Sequence, residues 1–555
     1  MSDSHAIPPF SMPMFRQFVP ESVRPWIYVC FAFMFQLSGG VYLGALSSIF
    51  GSRGLLREDV LMCMYSNLIG MSMYFPVLFR MKFRFTNKTL LMAAASVVLV
   101  TNVLVPFTHS LPILWFLCFI EGAAKIQGTF ECMSNIQLWM TPKRDFRVFF
   151  PLLHIFILVS IQVSGWLAAY FAYVARWEYM HFFVCGLFLV MLITQLVCLR
   201  FVRIMPRFPL YAIDWLGAVM WSAFFLQATF VVCYGDHYDW FNSPVICNVT
   251  VSALCFLVLC VRRMLTVRHA YFEFRMFRSR TFVWLIVMVM VAEMLLSAEY
   301  ILEEVFYEAG TKYTYMTVAG LRLYTTLGIL VGCMFSLWWL KVKDFTNICL
   351  IAVGMMGICV YYILLYVRIA DYINIELLYL PVAIRGFSYA VISATLLYTL
   401  ETSMNFKIFF QSLGFFNVFH TVGGAIAGCA IYTFGLNHYV ADNMQRYGEY
   451  VTNVTVASNH HAPFGSGDFG NHLFRLGSFM GEFVENLQVI SIKQLLGWAS
   501  VVSIAVAIVF LCMETSVRSL NWHMPDWKQF GKHIRRVYSK RRLVRERMED
   551  ETVCS

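Results

Sequence analysis

The chain contains 555 residues, 59% of them hydrophobic and only 13% charged, and its formal net charge is +10. Soluble domains carry about 25% charged residues. The composition, with a mean hydropathy of +0.66, therefore excludes an ordinary soluble fold and predicts a polytopic membrane protein. The cations lie in short loops and in the C-terminal tail, which fits positive-inside sorting rather than a nucleic-acid partner. The 16 cysteines are mostly isolated in apolar runs without metal-ligand spacing, so we expect no metal or other cofactor.

A transmembrane helix needs an apolar stretch of roughly 20 residues. Fourteen such stretches follow one another along the chain, so the predicted fold class is an all-α polytopic membrane protein. In chain order the predicted spans are about 25–49, 60–80, 89–109, 111–140, 147–173, 178–202, 210–234, 243–263, 281–304, 314–340, 346–368, 375–402, 408–436 and 487–513.

The gaps between the spans alternate in charge, and every second gap is rich in Lys and Arg. This alternation predicts that both termini are cytoplasmic. The expected location is the inner (cytoplasmic) membrane. The longest gap, 437–486, is expected to be a polar external loop, where His460 and His461 are solvated surface rather than metal ligands. The basic tail, 516–555, is expected to lie against the anionic inner leaflet.

Four short motifs occur in a fixed order along the spans. Asp214-Trp-Leu-Gly217 opens the seventh span, and Phe274-Arg-Met-Phe-Arg-Ser-Arg-Thr-Phe282 opens the ninth. The thirteenth span contains Gly414-Phe-Phe-Asn-Val-Phe-His-Thr-Val-Gly-Gly-Ala-Ile-Ala-Gly428, and Arg176-Trp177 precedes the sixth. In this order and spacing the chain resembles the fourteen-helix drug:proton antiporters of the major facilitator superfamily, the EmrB/QacA type.

The resemblance implies a cytoplasmic N-terminus at 1–24 and two six-helix bundles, 25–204 and 271–515, separated by two inserted helices at 205–270. It implies a substrate site near the midplane between the bundles and transport by alternating access. It also implies partnership with a periplasmic adaptor and an outer-membrane channel. The basic residues of the loop after the second span are the counterpart of the family's cytoplasmic gating loop: Arg80, Lys82, Arg84 and Lys88.

The chain departs from the family pattern at several positions, which marks it as a divergent member. The loop after the second span keeps its basic residues but lacks the family's Gly and Asp. The fourth span has Cys118 and Glu121 where an Arg and a Gln are usual, and 159–166 replaces the Gly-Pro-rich antiporter signature of the fifth span.

Ionisable residues within the spans are candidates for function, because each costs about 2.5 kcal/mol or more at bilayer depth. Glu121 and Lys125 are four residues apart and share one helix face, so they can pair. Arg322 and Arg385 are each a candidate partner for Glu299 or Glu121 across the bundle interface. The full set predicted for proton coupling and the central cavity is Glu121, Lys125, Glu131, Glu293, Glu299, Arg322 and Arg385.

Other polar residues in the spans are predicted to line a cavity or to remain outside the mechanism. Glu303 and Glu304 are expected at the outer interface, where they would be solvated. His154 and His420 are expected to be hydrogen-bonded rather than titrating. The predicted cavity-lining residues are Gln36, Gln127, Asn135, Gln162, Asn417 and His420.

The predicted function is proton-coupled export of hydrophobic or amphipathic compounds, with membrane lipid, a small hydrophobic substrate and protons as partners. The alternatives are a transporter of a single endogenous metabolite or lipid, an integral-membrane enzyme and a transport-inactive sensor. The chain contains no Walker GxxxxGK[ST] motif, no HExxH and no evident GxSxG elbow. The residues therefore favour a transporter over an enzyme.

Overall fold

The computed structural model describes residues 12–40, 49, 54–141, 145–202, 213–267, 269–309, 313–341, 347–369, 373–457 and 469–518. In these parts of the chain the fold is helical, apart from an isolated antiparallel bridge between Phe15 and Leu199.

The first six helices are numbered in chain order. Their bounds are α1 Arg24–Leu37, α2 Arg57–Arg84, α3 Asn87–Leu104, α4 Leu111–Met140, α5 Phe146–Val174 and α6 Glu178–Cys198.

The next two helices are α7 Trp215–Tyr234 and α8 Pro244–Thr266. The last six are α9 Arg280–Leu296 with its continuation to Ala309, α10 Tyr315–Ala319 with Leu321–Lys341, α11 Asn347–Arg368, α12 Glu376–Ser403, α13 Phe406–Ala457 and α14 Phe469–Arg518.

These helices match the predicted fold class. Thirteen of them, α2 to α14, are long and apolar enough to cross a membrane within the described residues. Helix α1 is the described start of the first predicted span, and most of the remainder of that span lies outside the described residues. The protein is therefore a multi-pass membrane protein.

The segment 437–486 differs from its prediction as a loop. Helix α13 continues through it to Ala457, and α14 begins at Phe469. Polar residues can form a helix outside the bilayer, so hydropathy alone placed the helix ends too early. His460 and His461 lie outside the described residues, as does the tail beyond Arg518.

The packing divides the helices into an N-terminal half, α1–α6, a C-terminal half, α9–α14, and the inserted pair α7–α8. The two halves meet mainly where α5 packs on α10 and where α2 packs on α13. Helices α2 and α10 are the second of each half, and α5 and α13 are the fifth. The two contacts are therefore equivalent under an exchange of the halves, which indicates an internal pseudo-twofold relation.

Close contacts at glycines occur at equivalent positions in the two halves. A Cβ on Gly70 would lie 2.0 Å from the Phe119 carbonyl oxygen, and one on Gly122 would lie 1.9 Å from that of Asn67. The equivalent helices α10 and α12 are in similar contact, since a Cβ on Gly328 would lie 1.9 Å from the Ala383 oxygen. Small residues allow helix backbones in membranes to approach closely. The second and fourth helices of each half are thus packed backbone to backbone.

We expect Gly122→Ala to destabilise the protein by about 1–3 kcal/mol, because the added methyl group meets backbone that must move. The matched control is Gly186→Ala in α6, where a Cβ would have no atom within 4 Å. Thermal unfolding in detergent, followed by intrinsic fluorescence, compares the two variants. Equal midpoints for both would show that the α2–α4 contact tolerates expansion.

The Asp214-Trp-Leu-Gly217 motif ties the inserted pair together. The Asp214 carboxylate accepts a hydrogen bond from the Gly217 N–H at 3.0 Å and so caps α7. The same carboxylate accepts three hydrogen bonds from Arg263 at the end of α8, two at Oδ1 (2.7 and 2.9 Å) and one at Oδ2 (3.0 Å). A bidentate Arg–carboxylate pair fixes both distance and angle. The motif therefore clamps the start of α7 to the end of α8.

This clamp is stable at neutral pH. Burial alone would raise the pKa of Asp214, but the hydrogen bonds from Arg263 and from Gly217 outweigh it and hold the pKa below its ordinary value. A carboxyl whose folded pKa is depressed contributes stability above its unfolded pKa and loses it as the pH falls through the folded pKa. The Asp214–Arg263 contact should therefore weaken only in acid below the ordinary carboxylate range.

Candidate functional site

A cavity of about 480 Å³ lies between the two halves. Its wall is formed mainly by α2, α4, α5, α12 and α13, with a contribution from α1. Most of the wall is apolar, and its aromatic residues are Phe75, Phe79, Phe83, Phe85, Phe130, Phe146, Phe149, Phe150, Tyr389, Phe409, Phe410 and Phe416. The polar wall residues include Gln36, Lys82, Asn87, Lys125, Glu131, Asn135, His154, Glu401, Asn417 and His420.

The cavity reaches one end of the helices. Its wall includes Phe85 just after α2, Phe146 at the start of α5, Val202 beyond α6 and Met404 just after α12. These positions all lie at the same end of the antiparallel helices. On α12 the wall begins only at Tyr389, in the middle of that helix. The cavity therefore has a mouth at the end where the basic loop after α2 lies, and a blind end near the middle of the bundle.

The opposite end is closed by contacts between the halves. Arg57 at the start of α2 forms an ion pair with Glu304 and donates a hydrogen bond to the Tyr300 carbonyl oxygen at 2.8 Å. The beginning of α10 packs on α5, where Arg322 lies 3.2 Å from the position of a Cβ on Gly165. The structure is thus open at one end and closed at the other.

Glu131 in α4 lies in the cavity wall within a polar cluster. Its carboxylate accepts hydrogen bonds from Asn87 at 2.8 Å and from Gln127 at 3.2 Å. Lys82 in α2 lies 3.6 Å away and also donates to Ser134. These partners compensate the buried charge of Glu131 and join α2, α3 and α4.

Lys125 and Glu121 are both 2% exposed and interact electrostatically, but they form no ion pair within 4 Å. Glu121 accepts a hydrogen bond from Asn102 at 3.0 Å, and the Asn102 side-chain oxygen is 2.8 Å from His181 Nδ1. Among the described residues no carboxylate lies within 4 Å of Lys125 Nζ. The direct hydrogen-bond partner of Glu121 therefore comes from α3 rather than from α4.

Glu293 and His420 form a second site behind the cavity wall. His420 lines the cavity, and its Nε2 lies 3.5 Å from Glu293 Oε1. The His420 ring stacks on Tyr389 with centroids 5.9 Å apart. His420 lies in a π-helical turn, Phe419–Gly423, and such turns often mark functional sites.

Arg385 is the centre of a buried network in the C-terminal half. It pairs with Glu299 at 3.1 Å and with Glu303, and it reaches Thr325 at 3.4 Å. Glu303 also accepts hydrogen bonds from two tyrosines, Tyr361 at 2.5 Å and Tyr307 at 3.1 Å. The pairing of Arg385 with Glu299 was predicted. Glu303 was expected to be solvated. That expectation is wrong, because Glu303 is only 3% exposed.

The cavity contains some of the predicted residues and excludes others. Gln36, Lys125, Glu131, Asn135, Asn417 and His420 lie in its wall. Gln127 instead bonds to Glu131, and Gln162 has a buried side-chain oxygen without a hydrogen-bond partner. The ionisable residues that lie outside the wall are Glu121, Glu293, Glu299, Arg322 and Arg385. The carboxylates of the predicted coupling set therefore lie in four clusters, around Glu131, Glu121, Glu293 and the Glu299–Arg385 pair, rather than in one site.

The predicted gating loop is largely helical. Helix α2 extends to Arg84 and α3 starts at Asn87, so Arg80, Lys82 and Arg84 lie on α2 and Lys88 lies on α3. Lys88 donates to the Leu199 carbonyl oxygen at 2.9 Å and so caps the end of α6. Sequence reasoning missed the role of Lys82 as the partner of Glu131. The only sequence signal was its position one turn beyond the apolar run, from which a long side chain can reach back.

No protein-family model matches this chain, and no curated protein matches it. Solved structures do match over most of its length. A POT family transporter in complex with thioalcohol conjugated peptide aligns with a TM-score of 0.57 at 14% identity, covering 91% of this chain and 99% of that one. A POT family transporter in complex with 5-aminolevulinic acid gives 0.55 at 13%, covering 90% and 99%. The nucleoside transporter NupG gives 0.52 at 12%, covering 88% and 99%.

These similarities show the fold. The chain shares the polytopic helical architecture of these solved transporters. The neighbours are transporters of different substrates, and they do not single out the drug:proton antiporter branch.

Proposed function

We propose that this protein is a secondary transporter that moves amphipathic compounds across the inner membrane by alternating access, coupled to protons. The observation that carries the proposal is the cavity between two pseudo-symmetric halves, open at one end and closed at the other. Two equivalent interfaces, α2–α13 and α5–α10, allow the halves to rock about a central site. The predominantly aromatic and aliphatic wall suits hydrophobic or amphipathic cargo.

The direction of the open end follows from charge. The mouth lies beside the basic residues at the end of α2 and the start of α3, and positive-inside sorting supports a cytoplasmic mouth with both termini inside. The described conformation is then open to the cytoplasm. A cavity that faces inward suits the loading of an export substrate, in keeping with the drug:proton antiporter type suggested by the sequence motifs.

Proton coupling is supported by buried carboxylates next to the transport path. Glu131 lies in the cavity wall, and Glu293 is reached from the cavity through His420. A group that meets its partner in only one conformation changes its proton affinity during the cycle, which is what coupling requires. Partnership with a periplasmic adaptor and an outer-membrane channel rests on the resemblance alone, and co-purification from crosslinked membranes tests it.

The full-length protein in proteoliposomes that contain the pH dye pyranine tests the proposed function. Cholate and ethidium, an amphipathic anion and an amphipathic cation, serve as probes. We expect protons to move in the direction opposite to at least one of the probes. The lumenal pH then rises as that compound enters the vesicles. A fall in lumenal pH would indicate symport and favour the import alternative. No proton movement with either probe, while an imposed pH gradient also drives no uptake, would reject proton coupling for amphipathic cargo.

A further inference from the structure

The blind end of the cavity carries a buried cation with free donors. On α4 the cavity wall runs from Lys125 to Leu138, so Lys125 is the α4 residue farthest from the mouth. Lys125 is 2% exposed, and the described residues provide no hydrogen-bond acceptor for its ammonium group. An ammonium group has three donors, and burial without a partner is costly. Glu121 acts on Lys125 electrostatically but forms no ion pair with it within 4 Å. Among the described residues, the Lys125 donors therefore remain available to an acceptor that enters the cavity.

The chain makes room for this ammonium group. A Cβ on Gly39 would lie only 1.9 Å from Lys125 Nζ, so a glycine at this position leaves space for the side chain. The neighbouring Gln36 side chain is held by a hydrogen bond to Thr129 at 3.1 Å. Lys125 is thus positioned by its surroundings rather than by an ion pair.

The other charges of the wall do not compete for the same ligand group. Lys82 and Glu131 are within 3.6 Å of each other and largely neutralise one another. Glu121 is turned away from the cavity toward Asn102. Glu401 lines the wall near the mouth, twelve residues along α12 from Tyr389, which is about 18 Å of helix rise. Of the two lysines in the wall, Lys125 is the one without an ion pair within 4 Å among the described residues, so an anionic group at the blind end would meet it first.

The apolar part of the wall lies on the mouth side of Lys125. Phe79 and Phe83 of α2, Phe149 of α5 and Phe410 of α13 all line the cavity between its blind end and its mouth. A molecule with an anionic head and an apolar body would place its head at Lys125 and its body among these rings. We propose that Lys125 anchors the anionic head group of a small amphipathic organic acid. The assignment as a substrate site rests on the proposed transport function.

Equilibrium dialysis with the full-length protein in lipid nanodiscs tests this proposal, with empty nanodiscs as background. The probes are labelled decanoate and decylammonium, which share an alkyl chain and carry opposite charges. We expect the wild type to bind decanoate more tightly than decylammonium. The proposal requires this preference in the wild-type protein, so comparing the two probes tests it without any substitution. No binding of decanoate by folded wild type, or equal binding of both ions, would overturn it.

Substitution of Lys125 then tests whether this residue is the cation that binds the anionic probe. Lys125→Met is expected to raise the Kd of decanoate by roughly ten- to a hundredfold and to leave that of decylammonium unchanged or lower. Lys125→Arg should keep the preference for the anion. The matched control is Lys493→Met, which changes a lysine that bonds the Ile369 carbonyl oxygen outside the cavity, and it should behave as wild type. Equal weakening of both probes by Lys125→Met would indicate a structural role and reject the proposal.

The binding result is independent of coupling. Charge-dependent binding that is lost in Lys125→Met, together with failure of every pH-gradient assay, would reject the proposed function and leave the anion site standing. Gradient-driven transport of ethidium with no binding of decanoate would support the proposed transport function and reject the anion site.

Discussion

Arg385→Met should destabilise the protein by about 3–5 kcal/mol, because it leaves the buried Glu303 and the partly exposed Glu299 without their cation. Arg385 is 5% exposed and Glu303 is 3% exposed, so neither can be rescued by water without opening the helices. The network joins α9, α10, α11 and α12 through Glu303, Thr325, Tyr361 and Arg385. We expect a marked fall in the thermal midpoint in detergent and little monodisperse protein on size-exclusion chromatography.

Two comparisons separate loss of the charge from loss of the side chain. The matched control is Arg446→Met, which breaks an exposed ion pair with Asp442 and should cost about 1 kcal/mol or less. The variant that combines Arg385→Met with Glu299→Gln and Glu303→Gln removes the stranded charges and should recover part of the loss. A thermal midpoint for Arg385→Met equal to that of Arg446→Met would show that the buried network contributes nothing to folding.

The positions of the helices could be predicted because the bilayer imposes a simple pattern. The eleventh span was predicted at 346–368, and α11 is Asn347–Arg368. Its ends coincide with the change from apolar to charged residues, which is also where a helix leaves the hydrocarbon. The prediction failed where helices continue into water, as at the end of α13 near Ala457. Hydropathy reports the membrane boundary, not the end of the helix.

The neighbours of the buried charges could not be predicted from spacing along one helix. The separation of four residues between Glu121 and Lys125 places them on the same face of α4, but the partners of Glu121 come from α3 and α6. Glu303 escaped prediction for a related reason. It lies near the end of a long apolar run and in a π-helical turn, Glu299–Glu303, which alters the helical phase on which a facing prediction relies.

The cavity could be predicted only in outline. Six of the predicted residues, among them Lys125 and His420, lie in its wall because polar residues within spans avoid lipid. The wall is rich in Phe, and Phe also covers the exposed surface of the helices, as at Phe116 and Phe182. Composition cannot separate these two environments, so the choice among the many phenylalanines depends on the packing of the two halves.

Glu293→Gln is expected to reduce transport driven by a pH gradient by about tenfold or more, since it removes the buried carboxyl nearest to the cavity histidine. Glu293 is 9% exposed, and its contact with His420 at 3.5 Å connects it to the cavity wall. A Cβ on Gly424 would lie 2.5 Å from the Glu293 Cβ, so α9 and α13 enclose the group tightly. His420 lies between Glu293 and the cavity, so we expect protons to reach Glu293 from the cavity side.

Substrate counterflow distinguishes coupling from general damage, because exchange of labelled for unlabelled substrate needs alternating access but no net proton movement. We expect Glu293→Gln and His420→Gln to retain counterflow near the wild-type rate while losing gradient-driven uptake. Glu376→Gln is the matched control, since Glu376 lies in the first turn of α12, away from the cavity wall. Loss of counterflow together with driven transport would assign Glu293 to folding or substrate binding. Full driven transport in Glu293→Gln would exclude it as the coupling carboxyl and leave Glu131, the carboxylate in the cavity wall beside Lys82, as the group to examine next.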